Sequence, residues 1–215
     1  MIKDTYQIPD KATEGEYKEK GSKFLAYLFP VISTSEVTKK LEDIRTLHPK
    51  ARHHCYAYRL GIDGAQYRSN DDGEPSGTAG KPILGQLLSH RISDTLIIVV
   101  RYFGGTKLGA SGLITAYKTA AHESLLKVNK VDFILCHTYK LNFSYSEMGH
   151  VMNVIKQIGL DIRQKSFDNQ PEVIVEIPIS NSNSTIIRLK AMLLNVSLDQ
   201  IVEKTIVPFC AITKL

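Results

Sequence analysis

Two stretches hold most of the residues able to do chemistry. The first is RSNDDGEPSGTAGKP, Arg68–Pro82, with three glycines, two prolines, three acids and three hydroxyl side chains in fifteen positions. The second is RYFGGTKLGASG, Arg101–Gly112. A phosphate cradle is one reading of the pair. Glycines let an anion approach free amides at a helix start, and those amides carry partial positive charge. Gly104, Gly105, Gly109 and Gly112 suit that role, with Arg101 and Lys107 adding full charges. Named phosphate motifs are not met. A P-loop needs G-x-x-x-x-G-K-[ST], and around Gly80-Lys81 its first glycine is Pro75 and its hydroxyl is Pro82.

A metal is the second reading, since Asn70, Asp71, Asp72 and Glu74 offer the oxygen ligands that Mg²⁺ or Ca²⁺ takes. The EF-hand order is missing, and a solvated acidic turn accounts for the same residues. His53 and His54 are adjacent, and neighbours on a strand point to opposite faces, so they do not chelate one ion. Nucleophilic catalysis has little support. Ser76 lies outside a G-x-S-x-G elbow, Ser111 is expected to cap a helix, and Cys55 is separated from His54 by strand alternation. The expected ligand set is therefore Arg68, Asp71, Asp72, Glu74, Ser76, Thr78, Lys81, Arg101, Gly104, Gly105, Lys107 and Ser111, with His53, His54 and Tyr56 as contributors. The two loops are expected to lie against each other and form one surface site. No catalytic residue and no cofactor is assigned.

These loops need elements to hold them. Asp94–Phe103 contains five consecutive apolar residues, Leu96–Val100, and reads as a central strand. Leu113, Tyr117, Ala120, Ala121, Leu125 and Val128 follow helical spacing, so the second loop joins a buried strand to a long helix. The first loop, read as free of helix and strand, lies between an aromatic strand at Arg52–Gly61 and a short helix at Pro82–Ile92. Upstream, Gly21–Val31 reads as a strand, or as two short ones broken near Pro30. Ser33, Thr34 or Ser35 caps a helix with Val37, Leu41, Ile44 and Leu47 on one face, closed by Pro49. Beyond residues 132–137 the pattern changes. Strand at Tyr139–Ser146, helix at Glu147–Gly159, strands at Leu160–Phe167 and Pro171–Ile179, helix at Asn181–Asn195 and strand at Gln200–Phe209 give β-α-β-β-α-β. That order is the split βαβ of a ferredoxin-like fold. The class is α+β, with domains at 1–135 and 136–215.

Bulk composition narrows the function. The chain has 215 residues, 43% hydrophobic and 23% charged, enough for one large or two small cores. No run approaches a membrane span and the polar start lacks a signal core, so the expected location is the cytoplasm with no membrane partner. Three distant cysteines without C-x-x-C support neither a disulfide framework nor a zinc ribbon. Net charge is +5, of which residues 1–135 carry +4, a basic excess that suits RNA or phosphate. Tyr56, Tyr58, Tyr67 and Tyr102 are candidates for stacking on bases.

SNDDGEPSGTAGKPIL followed by LIIVVRYFGGTKLGASGLITAY resembles the signature of the IMPACT/YigZ family. GSKFLAYLFPV and HHCYAYR fit its upstream blocks, and the match covers about residues 15–125. Residues 136–215 resemble the added C-terminal domain of the bacterial two-domain branch. The resemblance implies a first domain like domain 2 of ribosomal protein S5 and a second like domain V of elongation factor G. It also implies a place near translation. Eukaryotic members act in translational control by competing for the activator of an amino-acid-starvation kinase. No RWD domain precedes the matching blocks here, so that partner is not carried over. The leading expectation is a translation-associated regulatory protein binding RNA or a ribonucleoprotein, with the ribosome or translation factors as partners. The alternative is a small-molecule or nucleotide-phosphate-binding enzyme using the glycine-rich loops, by analogy with the GHMP kinases, which share the first domain's implied fold.

Overall fold

The computed structural model describes residues 4–215, and of residue 63 the backbone alone. The chain divides into two compact units, residues 5–133 and residues 134–215 with Asp4. Both are mixed α/β with antiparallel sheets.

The first unit runs β1 (Thr5–Pro9), β2 (Thr13–Glu19), β3 (Ser22–Pro30), α1 (Thr34–Leu47), β4 (His53–Leu60), β5 (Gln66–Asn70), α2 (Gly80–Ser89), β6 (Thr95–Tyr102), α3 (Gly109–Leu125) and β7 (Lys130–Ile134). β1 pairs with β7, and the five-stranded sheet has the order β2-β3-β6-β4-β5. β6 is its middle strand because it is apolar on both sides. Ile97 and Val99 face α2 and α3, packing with Phe24, Ala26, Leu28, Ile83, Leu87 and Tyr117. Leu96, Ile98 and Val100 face α1, packing with Val37, Leu41, Ile44, Tyr56 and Tyr58. This is the period-2 alternation of a strand covered on both faces. Ser33 caps α1 by accepting from the Glu36 N–H, while the Glu36 carboxylate accepts from the Ile32 N–H. That reciprocal pair satisfies two otherwise orphaned donors.

The second unit runs β8 (Cys136–Phe143), α4 (Met148–Ile158), β9 (Asp161–Ser166), β10 (Glu172–Pro178), α5 (Ser182–Leu194) and β11 (Cys210–Lys214), with sheet order β11-β8-β10-β9. Its own core joins Leu141, Phe143, Val173 and Val175 to Val151, Ile155 and Leu189 of the helices. α4 and α5 end on Gly159 and Asn195, both in the left-handed region.

Several expected boundaries change. β1, β2 and β7 are additional strands. β2 is an edge strand whose charged residues alternate with Gly15 and Tyr17 against the core, so composition hid it. The first loop is shorter than expected, because Arg68–Asn70 belong to edge strand β5 and Gly80–Pro82 already lie in α2. The last strand is Cys210–Lys214, not Gln200–Phe209. Pro208 lacks a ladder donor, and turns close at Thr205 N–H to Val202 O and Cys210 N–H to Val207 O. Ser111 does not cap α3; the helix begins at Gly109 after Leu108, with no side-chain cap.

Candidate functional site

β4 begins where β6 ends, and the two are antiparallel neighbours with His53 opposite Arg101. Opposed residues share a face of the sheet, so both side chains emerge on the α2/α3 side at one end of the strands. The connection entering β4 adds Lys50 and Arg52, Tyr102 ends β6, and Phe103 follows it. These six residues line a cleft of 390 Å³. Lys50, Arg52 and Phe103 are exposed, and His53 and Tyr102 are half-buried. Arg101 is only 7% exposed.

The first loop holds two of the cleft residues, Arg101 and His53, in place. Glu74 is buried, and its Oε1 accepts from Arg101 Nη1 at 2.6 Å and from the Tyr117 hydroxyl at 2.8 Å. His53 Nε2 stands 4.0 Å from the same oxygen, while its Nδ1–H donates to the Asp72 carbonyl at 2.9 Å. The Arg101 guanidinium lies over the rings of Phe24 and Phe103, at 5.5 and 5.6 Å. Its Nε is buried with no hydrogen-bond partner among the described residues.

The three carboxylates of the loop do not converge. Asp71 accepts from the backbone N–H groups of Gly77, Ala79 and Gly80 at 2.8, 3.0 and 2.8 Å. It thus occupies the N-terminus of α2, where a phosphate would otherwise sit. Burial raises its pKa, but these backbone bonds and nearby Lys81 outweigh that and hold the carboxyl below its usual range. Asp72 accepts from the His54 N–H at 2.7 Å and pairs with Arg45 at 3.4 Å. Its backbone is left-handed, φ 41°, and its N–H donates to the Asn70 side chain at 2.7 Å. Among the described residues no group of three His, Cys, Asp or Glu side chains could hold a metal ion.

The remaining expected residues fall into three places. Thr78 is buried and donates to the Pro75 carbonyl at 2.6 Å, while Ser76, Lys81 and Arg68 are exposed. His54 is buried behind the cleft, where burial lowers its pKa against the pull of Asp72. Tyr56 and Tyr58 stack on each other in the α1-side core, which removes them as platforms for a base. The Cys55 thiol donates to the Asp71 carbonyl at 2.9 Å, and burial pushes its pKa up, so no thiolate nucleophile forms there.

The second stretch splits. Arg101 joins the first loop through Glu74, whereas Gly104 closes on the turn between β2 and β3. A Cβ at Gly104 would lie 1.8 Å from the Gly21 carbonyl carbon, and the Gly104 N–H donates to Ser22 Oγ at 3.1 Å. That glycine serves close backbone approach. Gly105, Lys107 and Ser111 are exposed, and Ser111 lines a separate hollow of 280 Å³ with Tyr17, Glu19 and Lys20. Lys50, Arg52 and Phe103 were missed as site residues. The run PKARHH, Pro49–His54, is a cluster of basic residues just before a strand and was the available signal.

The Impact N-terminal domain family matches residues 20–125, a span that contains all six cleft residues. The chain is 34% identical to the IMPACT family member YvyE of Bacillus subtilis, over 78% of this chain and 77% of that one. It is 33% identical to an IMPACT family member of Haemophilus influenzae, over 80% and 84%. A crystal structure of a hypothetical protein superposes with a TM-score of 0.66 at 28% identity, covering 87% of this chain and 92% of that one.

Proposed function

The chain belongs to the IMPACT family, and from that premise we propose that it is a translation-associated regulatory protein of the cytoplasm that binds RNA, free or within a ribonucleoprotein, through the cleft at the His53–Arg101 end of β4 and β6. The observation that carries this reading is the cleft's composition. Lys50 and Arg52 bring two exposed cations to a hollow in which Arg101 is paired with buried Glu74, beside an exposed aromatic ring. Cations neutralise phosphates and release counterions, which makes up most of sequence-independent nucleic-acid affinity.

The same premise extends to the fold. We read residues 5–133 as the S5 domain 2-like unit that the family resemblance implies. We read the second unit as ferredoxin-like, and like domain V of elongation factor G, on its β-α-β-β-α-β order and its β11-β8-β10-β9 sheet. Both folds accompany translation components, which supports the choice of partner.

The test is the salt dependence of RNA binding by the full chain. Each phosphate contact adds about 0.7 to the slope of log affinity against log salt for a single strand. Replacing Lys50 and Arg52 by alanine should flatten the slope by about 1.4. An unchanged slope in the double variant, or no binding to RNA at about 50 mM salt, overturns the reading.

A further inference from the structure

We propose that the cleft takes one unpaired nucleotide, with its phosphate at the Lys50–Arg52–Arg101 cations and its base on Phe103, so that the protein selects single-stranded over duplex RNA. This rests on the RNA reading above and goes further, to the form of RNA bound.

Three observations combine. Phe103 is 58% exposed although it directly follows a buried strand, and Arg101 lies over its ring, leaving area open beside a cationic group. An exposed aromatic ring flanked by cations is the arrangement on which single-stranded bases stack, because every base has a π-face. Lys50 and Arg52 are exposed in the lining of the same cleft, so it contains donors that a phosphate oxygen can meet. The cleft volume of 390 Å³ lies at the low end of the range for small-ligand sites, about 300–1,000 Å³, which suits one nucleotide and not the width of a helix. In a duplex the base faces are buried against their neighbours. Side chains there meet phosphates, 2′-hydroxyls and groove edges, none of which uses the Phe103 ring.

The expected preference opposes the electrostatic trend. A duplex presents more phosphate charge per unit length, and cations alone would favour it. Binding of the full chain to a fluorescent 12-nucleotide single-stranded RNA and to a duplex of the same length therefore separates stacking from charge. We expect the single strand to bind more tightly than the duplex, with one stacked base supplying at least about 5-fold against the duplex's charge advantage. Phe103→Leu keeps an apolar side chain but removes the ring. It should weaken single-strand binding by about 5- to 150-fold with an unchanged salt slope and unchanged duplex binding, and Phe103→Trp should restore it. Equal or tighter duplex binding, or full affinity in Phe103→Leu, overturns this inference. If either result comes with a steep salt slope that depends on Lys50 and Arg52, the RNA reading stands without it. If neither RNA binds, the RNA reading fails and this inference falls with it.

Discussion

Glu74 is where the first unit is most sensitive to a single substitution. Its Oε1 holds both Arg101 and Tyr117, and the Glu74 and Arg101 side chains are 4% and 8% exposed. Glu74→Ala would leave a guanidinium in a site screened from water, with Nη1 joining an Nε that already lacks a partner. Breaking a buried pair from one side costs about 3–5 kcal/mol, most of it from the charge left behind. For a unit of residues 5–133, each kcal/mol moves Tm by about 4 °C, so the expected loss is about 12–20 °C. Glu74→Gln keeps an acceptor for Tyr117 but not the charge, and should retain less than half of the lost stability. Replacing both partners, Glu74→Leu with Arg101→Met, removes the stranded charge together with its counter-charge. That double variant should melt above each single variant, giving a coupling energy of about 2–3 kcal/mol in a double-mutant cycle. Thermal unfolding followed by far-UV circular dichroism reads the parent and all five variants, and tyrosine emission gives a second probe in a chain without tryptophan. If Glu74→Ala stays within about 0.5 kcal/mol of the parent, or the single effects add, the pair is solvated and the reasoning fails.

Asp71→Asn removes the charge that three backbone N–H groups hold at the start of α2 and should cost about 2–4 kcal/mol in urea unfolding. Because the Asp71 pKa is lowered on folding, its contribution is present above the unfolded carboxyl value and lost as pH falls through the folded one; in Asp71→Asn that part of the acid destabilisation should vanish. His48, His54 and His90 all have pKa values lowered by burial, so the folded state binds fewer protons than the unfolded one. The stability they favour is present above about pH 6.5 and declines as pH drops through their folded values, and Tm measured at pH 7.5, 6 and 5 should fall in that order. Gly104→Ala would set a Cβ 1.8 Å from the Gly21 backbone and should cost about 1–3 kcal/mol or more, whereas Gly105→Ala meets no atom within 4 Å and loses only the left-handed preference of φ 89°. Residues 134–215 carry their own core, and expressed alone they should show dispersed NMR resonances and a cooperative melt.

Periodicity alone was enough for the elements with one buried face or two. Leu96–Val100 read best as a strand covered on both sides, and Val37, Leu41 and Ile44 as one face of a helix, and both elements form. The order of the second unit was legible for the same reason, since its alternating strands and 3.6-period helices are separated by turn residues. β2 escaped because an edge strand with Glu14, Glu16 and Lys18 facing water looks like a polar tail until β3 supplies its partner. The last strand was misplaced because an apolar run does not show where β8 will pair, and that register puts Cys210 opposite Phe143. Residue types also picked out both chemically unusual stretches, but their composition could not say which groups were already taken. Asp71, Asp72 and Glu74 look equivalent in sequence; in the fold one caps a helix, one pins a strand and one neutralises a buried arginine. Arg101 lies 27 residues from Glu74 and 48 from His53, separations across which no local rule operates. Antiparallel pairing of β4 with β6 brings them together, and tertiary structure alone decided that Lys50, Arg52 and Phe103 would share a cleft with them. Backbone hydrogen bonding and hydrophobic burial are short-range preferences that the sequence carries openly. A binding site depends on which strand ends become neighbours, and only the assembled sheet determines that.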